Sequence, residues 1–377
     1  MRILHITSHL NVGGVSSSIL SLSSGLMARG HRVIVASGGG QLEAYAVAQG
    51  LTHWRVPLQT SVEFSPQVFA ATRTLAALLR QEPVDVLHGH TRVAQLVAHR
   101  LSRRLRRPYV TTWHGAFTPN LGRRLWPCTG DVTMAISEPV RQHLRQTFRV
   151  PDARIRLIPH GIDTRPFESP IDHAAQARLR DQLQLGPQGP VVGTLTRLVP
   201  SKGVAQLIHS LPQIRATVPD ARLLIVGDGE ARADLERLAA TNGLTEAIHF
   251  SGTLLETRLA LSLMDVFVFL PMEHEGFGLS LLEAMASARP IVAVRRGGGA
   301  LWVLQHSGVG TMVEPGDVAA LATAITRLLR DRETARRAGE QARAVVKERY
   351  ALSRMVDQVE AVYRDLVSAS TLQPTPN

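Results

Sequence analysis

Short apolar runs rich in β-branched residues alternate along the chain with longer amphipathic segments, and this alternation restricts the fold more than any other feature. Strands joined by helical crossovers form parallel sheets with helices on both faces. The alternation is interrupted between Gly161 and Ile171, a stretch with two prolines that is typical of a linker. The sequence therefore predicts an α/β fold of two doubly wound domains, at residues 1–165 and 172–350, that face each other across a cleft.

Eleven runs have the length and composition of strands buried in a parallel sheet. In the first half they are Ile3–Thr7, Val33–Ala36, Val84–His88, Tyr109–Thr112, Val132–Ile136 and Ile155–Ile158. In the second half they are Val191–Leu195, Arg222–Val226, Ile248–Phe250, Val266–Leu270 and Ile291–Val294. After Asp317 the pattern is helical to about Ser368, and we expect the last helix, at about residues 353–370, to cross back onto the first domain.

The length and composition agree with this division. A chain of 377 residues is longer than one ordinary core supports. Its first residues enter a strand without the apolar stretch and cleavage site of a signal peptide, and its longest apolar run, Leu259 to Met272, is too short to span a bilayer. We therefore expect a cytoplasmic protein without transmembrane helices. The single cysteine, Cys128, excludes an intramolecular disulfide and a thiolate zinc cluster.

The net charge of +11 belongs to the first half of the chain. Residues 1–165 contain 20 Arg against 8 Asp plus Glu, whereas residues 166–377 contain 22 Lys plus Arg against 23 acids. The densest clusters are Arg103-Arg104-Leu105-Arg106-Arg107 and Arg123-Arg124. Such a surface is typical of binding to an anionic leaflet or nucleic acid, or is simply solvated. Because aromatics make up only 5% and no nucleic-acid module is present, we favour a membrane surface, with the protein peripheral on the inner face of the cytoplasmic membrane.

The run from Glu275 to Glu283 places two carboxylates eight residues apart across a glycine-rich turn between a strand and a helix. Ligands of open α/β sheets bind at such strand ends. Gly276 and Gly278 allow backbone N–H groups to approach a ligand, and the helix N-terminus favours an anion. Carboxylates accept hydrogen bonds from sugar hydroxyls. Taken singly, Glu275 is better explained as a helix cap and Glu283 as a solvated helical residue, and it is the accompanying motifs that favour a ligand site.

Two cations flank the first turn of the second domain. Arg197 follows the predicted strand there, and Lys202 opens the next helix. A guanidinium binds phosphate through two donors and an ammonium adds a compact charge, so the pair suits a diphosphate. Of 42 basic residues only Lys202 and Lys347 are lysine. The Walker pattern and Asp-x-Asp pairs are both absent from the sequence, and we expect no metal to hold this diphosphate.

Gly13 and Gly14 follow the first predicted strand and open a helix, which is favourable for an anion and equally compatible with a plain turn. The dinucleotide pattern Gly-x-Gly-x-x-Gly is absent here, and Gly227–Arg232 lacks its third glycine. A nicotinamide-dependent dehydrogenase is therefore disfavoured.

Histidines cluster at two neighbouring strand ends of the first domain. His88 and His90 flank one end, and His114, followed by Gly115, stands at the next. The His88-x-His90 spacing alone is weak evidence for a metal site, because thiolates are missing nearby. His114 is the better candidate for an active-site residue.

These motifs together resemble those of one family, the retaining, nucleotide-sugar-dependent glycosyltransferases called glycosyltransferase family 4. The resemblance covers nearly the whole chain. It rests on Gly13-Gly14, Asp85–His90, Trp113–Gly115, Ile158–Asp163, Arg197 with Lys202, Leu224–Gly229, and Glu275–Glu283. It implies the GT-B fold, in which two Rossmann-like domains bind the acceptor and the nucleotide sugar respectively.

The resemblance also implies roles for individual residues. It assigns Arg197 and Lys202 to the donor diphosphate, Glu283 to the ribose, and Thr253 and Leu254 to the base. It assigns Glu275 to orientation of the transferred sugar and His114 to contact with that sugar near its reacting carbon. The backbone of Gly276, Phe277, Gly278 and Leu279 would line the sugar and phosphate pocket, and Gly13 and Gly14 would close over the donor. Two positions depart from the family pattern: His160 stands where asparagine is usual, and Trp302 follows Gly298-Gly299 where an acid is usual.

The implied reaction moves a sugar from a UDP-, GDP- or ADP-sugar to a hydroxyl of a lipid-linked or glycan acceptor, as in exopolysaccharide, lipopolysaccharide or glycolipid synthesis. The sequence offers no obvious protein nucleophile, so we expect front-face attack with retention and without a metal or other cofactor. Three alternatives stay open: a sugar-nucleotide epimerase or phosphorolytic enzyme of the same fold, a non-catalytic binder of nucleotide sugars or glycans, and a nucleic-acid-binding protein.

Overall fold

The computed structural model describes residues 1–118, 121–186, 189–254, 256–273 and 275–371. Two compact units make up the fold. One contains Met1–Ile162 together with the chain from Leu352 onward, and the other contains Asp163–Ala351.

The first unit is built on a parallel sheet that has seven strands within the described residues. Its strands are β1 (Arg2–Ile6), β2 (Arg32–Ser37), β3 (Thr52–Arg55), β4 (Val86–Gly89), β5 (Tyr109–Trp113), β6 (Val132–Ala135) and β7 (Ile155–Leu157), in the order β3-β2-β1-β4-β5-β6-β7. Its connecting helices are α1 (Gly14–Met27), α2 (Glu43–Ala48), α3 (Pro66–Gln81), α4 (Arg92–Leu105), α5 (Leu121–Leu125) and α6 (Glu138–Thr147), with a 3₁₀ turn at Asp152–Arg154.

The central strands are buried on both faces, which explains their continuous apolar sequences. Ile3 and Leu4 are adjacent in β1 and point to opposite faces, yet both are fully buried. Ile3 pairs in register with Val33 of β2 on one side and Val86 of β4 on the other. The carboxyl ends of β1, β4 and β5 therefore lie side by side at one edge of the sheet.

The second unit repeats this architecture with a parallel sheet of six described strands. Its strands are β8 (Val191–Leu195), β9 (Arg222–Val226), β10 (Ile248–Gly252), β11 (Val266–Phe269), β12 (Ile291–Val294) and β13 (Thr311–Val313), in the order β10-β9-β8-β11-β12-β13. Its helices are α7 (Arg165–Glu168), α8 (His173–Gln182), α9 (Val204–Thr217), α10 (Arg232–Thr241), α11 (Thr257–Ser262), α12 (Leu279–Ala286), α13 (Gly299–Ser307), α14 (Val318–Arg330) and α15 (Arg332–Arg349), with 3₁₀ turns at Pro200–Lys202 and Thr245–Ala247.

The last helix, α16 (Leu352–Thr371), packs on the first unit, as the sequence predicted. Val356 and Tyr363 are buried in a cluster with Ile3 of β1 and Leu26 of α1. A glycine at position 25 makes room for this contact, because an added Cβ would lie only 2.5 Å from Cγ2 of Val356. Among the described residues, none of the helices has both the length and the apolar composition that a bilayer crossing requires.

Two strands were missed by the sequence prediction, and both lie at a sheet edge. β3 has the sequence Thr-His-Trp-Arg and β13 has Thr-Met-Val, so neither contains the run of branched apolar residues that marks a central strand. An edge strand has one neighbour only and tolerates polar residues. The predicted helical region after Asp317 is helical but interrupted at Asp331 and again at residues 350–351. At the first break, Asp331 accepts a hydrogen bond from the backbone N–H of Thr334 as the N-cap of α15.

Candidate active site

The turn after β8 is shaped by one glycine. Gly203 has φ 64° and ψ 16°, a left-handed conformation, and an added Cβ would overlap the carbonyl oxygen of Leu270. The backbone N–H of Lys202 donates to the carbonyl of Val199 at 3.0 Å, which closes the 3₁₀ turn immediately before Gly203. Lys202 is thereby held at the carboxyl edge of the sheet, directly ahead of α9. Arg197, on the same connection, is exposed.

The ammonium group of Lys202 forms an ion pair with Glu275 Oε2, so the structure brings together two residues that the sequence placed on separate turns. Their side chains are only 20% and 22% exposed, which makes this pair less screened than a surface salt bridge. The backbone of Glu275 is fixed as well. Its N–H donates to the carbonyl of Gly297 at 3.1 Å, and its carbonyl accepts from the N–H of Gly299 at 2.9 Å.

The glycine-rich turn after Glu275 ends at Gly278, the N-cap of α12. Gly278 has φ 86° and is buried, and an added Cβ would lie 3.0 Å from the ring of Phe269. Its carbonyl accepts from the N–H of Leu281 at 3.1 Å. The first backbone N–H groups of a helix have no partner within the helix, and together they favour an anion. Phe277 is buried, with its ring edge on Tyr350 at a centroid distance of 5.9 Å.

Glu283 lies one turn into α12 and is partly buried. Burial raises the pKa of its carboxyl to about 7, and a hydrogen bond with Thr257 acts in the opposite direction. Thr257 is the first residue of α11, and nothing in the sequence singled it out. Thr253 and Leu254 precede this helix, directly after β10, where Thr253 is exposed and Leu254 is partly buried.

In the first unit, Gly13 and Gly14 form the start of α1. Gly13 has φ 154°, a value that residues with a side chain rarely adopt, and its carbonyl accepts from the N–H of Ser17 at 3.0 Å. An added Cβ at Gly13 would meet nothing within 4 Å. Glycine is therefore required here by the backbone conformation rather than by neighbouring side chains.

The predicted histidines belong to a larger cluster at the carboxyl edge of the first sheet, in which His114 is partly buried and the other members are buried. His5 Nδ1 lies 2.8 Å from His90 Nε2, His90 Nδ1 lies 3.2 Å from His114 Nε2, and His114 Nδ1 lies 3.2 Å from His160 Nε2. His160 Nδ1 in turn lies 3.0 Å from Ser18 Oγ. Both ring nitrogens of His114 are thus engaged with other imidazoles, and its contact with a sugar stays a prediction.

These imidazoles are neutral at pH 7. Burial lowers the pKa of His5 to about 3 and that of His160 to about 4. Burial, reinforced by the neighbouring imidazoles, holds the pKa values of His88, His90 and His114 well below the usual range. Neutral imidazoles each carry one N–H and one lone pair, which suits the head-to-tail contacts of this cluster.

The trio His5, His88 and His90 brings ring nitrogens within 4.8 Å of one another, a spacing that invites comparison with a metal site. Both nitrogens of His88 are engaged, however, at 2.5 Å from the hydroxyl of Tyr363 and 2.7 Å from that of Thr112. Both nitrogens of His90 are engaged with other histidines. Three free lone pairs do not converge here, and the donor set fits a hydrogen-bonded network instead of a metal.

Comparison with known proteins identifies the family. A family model described as Glycosyl transferases group 1 matches residues 175–345, and one described as Glycosyltransferase Family 4 matches residues 12–165. The phosphatidyl-myo-inositol mannosyltransferase of Mycobacterium leprae is 30% identical over 378 residues, which cover 95% of each chain. The chain belongs to glycosyltransferase family 4.

Further relatives agree with this assignment. The N-acetyl-alpha-D-glucosaminyl L-malate synthase of Bacillus anthracis is 27% identical over 96% of each chain. The crystal structure of HepE from Anabaena in complex with UDP-glucose matches with a TM-score of 0.83 at 22% identity, covering 97% of this chain and 100% of that one. The chain is a glycosyltransferase with the GT-B fold of two Rossmann-like domains.

In this family 4 glycosyltransferase, the two positions that depart from the family pattern have defined surroundings. His160 is buried and contacts His114 and Ser18. Trp302, on α13, stacks on His306 with a centroid distance of 5.5 Å and an interplanar angle of 18°. Both departures are visible in the sequence, but no local sequence pattern indicates their partner residues Ser18 and His306.

Proposed function

We propose that this glycosyltransferase moves a hexose from a nucleoside-diphosphate sugar to an acceptor hydroxyl, with the donor diphosphate held by the second unit. The ion pair of Lys202 with Glu275, beside the N-terminus of α12, carries this proposal. An ammonium, a carboxylate and the backbone N–H groups at a helix N-terminus are partners that suit a sugar diphosphate. HepE binds UDP-glucose, and a mannosyltransferase of Mycolicibacterium smegmatis that is 37% identical over 53% of each chain is GDP-mannose-dependent.

The proposed chemistry depends on charge. Cleavage of the sugar–phosphate bond creates an oxocarbenium-like sugar and a diphosphate with added negative charge. Lys202 and the exposed Arg197 would stabilise the diphosphate as that charge develops, and a metal ion is not needed in this scheme. The ammonium has three N–H donors, and among the described residues it uses one on Glu275, which leaves two for phosphate oxygens.

Retention is the second part of the proposal. A double displacement would require a carboxylate nucleophile, and the carboxylate of Glu275 is already paired with Lys202. We propose that the acceptor hydroxyl attacks the face from which the diphosphate leaves and that a diphosphate oxygen takes the proton. NMR of the product determines the anomeric configuration directly, and an inverted anomeric centre would exclude this course.

The donor would lie with its base near Thr253 and Leu254 and its ribose on Glu283, which shares a hydrogen bond with Thr257. Thermal-shift measurements with UDP, GDP and ADP and their sugars identify the donor. Incubation with the stabilising donor then separates the classes of function. Transfer to a glycan or lipid acceptor supports the proposal, interconversion of the donor without an acceptor indicates an epimerase, and binding without turnover indicates a non-catalytic protein.

The lysine content of the chain allows a direct test of the donor site. Lys202 and Lys347 are the only lysines, so labelling with an amine reagent followed by mass spectrometry reports on two side chains besides the terminal amine. A bound diphosphate should protect Lys202 and leave Lys347, whose ammonium pairs with Glu168 at 3.1 Å, unchanged. Equal labelling of Lys202 with and without saturating donor would contradict its assigned role.

For the acceptor, we propose a lipid-linked or glycan hydroxyl at an anionic membrane surface, in cell-surface polysaccharide, lipopolysaccharide or glycolipid synthesis on the cytoplasmic side. A cavity of about 580 Å³ in the first unit supports a lipid. Arg100, Arg103 and Arg104 line it together with Phe64 and Trp126, whose large apolar side chains are 67% and 69% exposed. Exposed aromatic side chains beside clustered arginines are typical of surfaces that meet anionic lipid.

Co-sedimentation with vesicles tests this surface. The double variant Arg103→Gln and Arg104→Gln should bind vesicles with anionic phospholipid about 30-fold more weakly, because each charge near the surface contributes about 1 kcal/mol. The matched control changes Arg336 and Arg337 of α15 to Gln and should bind like the wild type. Equal binding to vesicles with and without anionic lipid would remove the membrane from the proposal.

A further inference from the structure

Four histidines of the first unit, of which three are buried and His114 is partly buried, form one hydrogen-bonded row that ends at Ser18. The row runs His5, His90, His114, His160 and then Ser18. We propose that this row fixes the tautomer of His114, with His160 and Ser18 acting as positioning residues.

Every contact in the row has the same sense. Each links Nδ1 of one imidazole to Nε2 of the next, at 2.8, 3.2 and 3.2 Å, and the last links His160 Nδ1 to Ser18 Oγ at 3.0 Å. A neutral imidazole has a single N–H, and each contact needs one donor and one acceptor. Two assignments satisfy all contacts: the proton lies on Nδ1 in all four rings, or on Nε2 in all four.

The two ends of the row decide between these assignments. At one end, His5 Nε2 is buried and has no hydrogen-bond partner among the described residues. A buried N–H without an acceptor is rarer in proteins than an acceptor without a donor, so this nitrogen carries the lone pair and the proton lies on Nδ1. At the other end, the hydroxyl of Ser18 accepts from His160 Nδ1, which satisfies the same assignment.

The tautomer of His114 is therefore set by four residues from other parts of the chain: His5 in β1, His90 after β4, His160 after β7 and Ser18 in α1. His114 Nε2 accepts from His90, and its Nδ1–H donates to His160. Ser18 belongs to α1, the helix that starts at the Gly13–Gly14 turn. Within the row, His160 is the residue that connects this helix to His114. The histidine at position 160 has a physical role here, because an imidazole transmits the donor–acceptor sense from one ring nitrogen to the other.

NMR of the full-length protein with ¹⁵N-labelled histidine tests the row without any substrate. At pH 7 the wild type should show His90, His114 and His160 with the proton on Nδ1. Ser18→Ala should change the tautomer populations of His160 and His114, and Ser18→Thr, which retains the hydroxyl, should restore them. His249→Asn in the second unit is the control and should leave the row unchanged. A proton on Nε2 of His114 in the wild type, or an unchanged His114 in Ser18→Ala, would overturn the proposal.

A kinetic measurement tests the positioning role, and this part rests on the proposed glycosyl transfer. Ser18→Ala should lower kcat about three- to tenfold, the effect of one hydrogen bond, while the KM for the donor stays unchanged. Ser18→Thr should recover the wild-type kcat, and an unaltered kcat in Ser18→Ala would contradict the positioning role. If the wild type shows no transfer, the proposed function fails while the NMR result still decides whether the row exists.

Discussion

At the scale of single residues, the candidate donor site centres on one lysine whose charge is already balanced. Lys202 pairs with Glu275 in a partly buried position, so the ammonium is oriented before any ligand arrives. Orientation in advance reduces the entropy that binding must overcome. Within the described part of the chain the ammonium has one partner, Glu275, so a ligand with two negative charges could use its other two N–H donors.

Lys202→Ala should reduce kcat by about two orders of magnitude, the loss expected when a donor that stabilises developing charge is removed. Steady-state kinetics with the donor identified by thermal shift is the measurement. Lys347→Ala removes the other lysine, on the surface of α15, and should retain full activity. Undiminished transfer by the Lys202 variant would exclude this residue from the mechanism.

Glu283 provides a pH-dependent prediction. Burial raises the pKa of its carboxyl to about 7, so the group is half ionised near neutrality. If Glu283 binds the ribose as proposed, its carboxylate would accept hydrogen bonds from two hydroxyl groups, whereas the protonated form would have one acceptor fewer. The affinity for a nucleotide sugar should therefore rise from pH 6 to pH 8. A nucleotide sugar is suitable for this test because its diphosphate diester does not ionise in this range.

Glu283→Gln should bind the donor about tenfold more weakly at pH 8 and should show no pH dependence between 6 and 8, as measured by calorimetry. The amide retains the shape of the carboxyl group without its charge. A persistent pH dependence in this variant would assign the titration to another group and would remove Glu283 from ribose recognition.

At the scale of elements, the turn before α9 shows how a glycine positions a functional side chain. Gly203→Ala should destabilise the protein by about 1 to 2 kcal/mol because alanine disfavours the left-handed φ of this position. The overlap of the new Cβ with the Leu270 carbonyl should add to this loss. Gly243→Ala is a matched control, since Gly243 has φ 65° and open space around its Cβ. Urea unfolding measures both, and donor affinity should fall in the Gly203 variant alone. Equal effects of the two substitutions would show that the Leu270 contact is unimportant.

The central strands and the turns after them could be predicted from the sequence because each has a local signal. A strand buried on both faces is continuously apolar, and a helix that starts at a left-handed residue shows glycine, as at Gly203 and Gly278. The edge strands β3 and β13 have no such signal, since an edge position accepts polar residues.

Contacts between distant segments could not be predicted in the same way. The bond between Glu283 and Thr257 joins two helices, and the histidine row joins residues from β1 to the segment after β7. The sequence placed His88, His90 and His114 at strand ends, but which nitrogen contacts which depends on the strand order and register. His5 and Ser18 have no local feature that marks them as partners of these residues.

At the scale of the whole molecule, α16 links the C-terminal segment to the first unit through charge as well as packing. Glu360 accepts from Arg29 at 2.7 Å and from His31 at 2.8 Å, and its side chain is 10% exposed. The Arg29 and His31 hydrogen bonds lower the pKa of Glu360 to about 2. Because the folded-state pKa is depressed, this stabilisation is present above pH 4.5 and is lost as the pH falls from there toward 2.

The histidine row adds a second acid-sensitive contribution in a different pH window. Its folded-state pKa values are also depressed, to about 4 for His160 and about 3 for His5, whereas the unfolded chain takes up protons from pH 6.5 downward. The free energy of unfolding should therefore decrease as the pH falls from 6.5 to 4. The decrease is about 1.4 kcal/mol per pH unit for each histidine that binds a proton in the unfolded chain but not in the folded one. Glu360 contributes nothing in most of that window, because its loss begins only near pH 4.5.

Unfolding free energies measured from pH 7 to pH 4 separate the two contributions. His160→Asn removes one titrating ring and should flatten the slope by about 1.4 kcal/mol per pH unit in the range from 6 to 5, while Glu360→Gln should leave that slope unchanged and alter only the region below 4.5. His209→Asn, at an exposed position of α9, should reproduce the wild-type slope. A His160 variant as steeply pH-dependent as the wild type would mean that the row takes up protons without unfolding, and the imidazoles would then not be held neutral by burial.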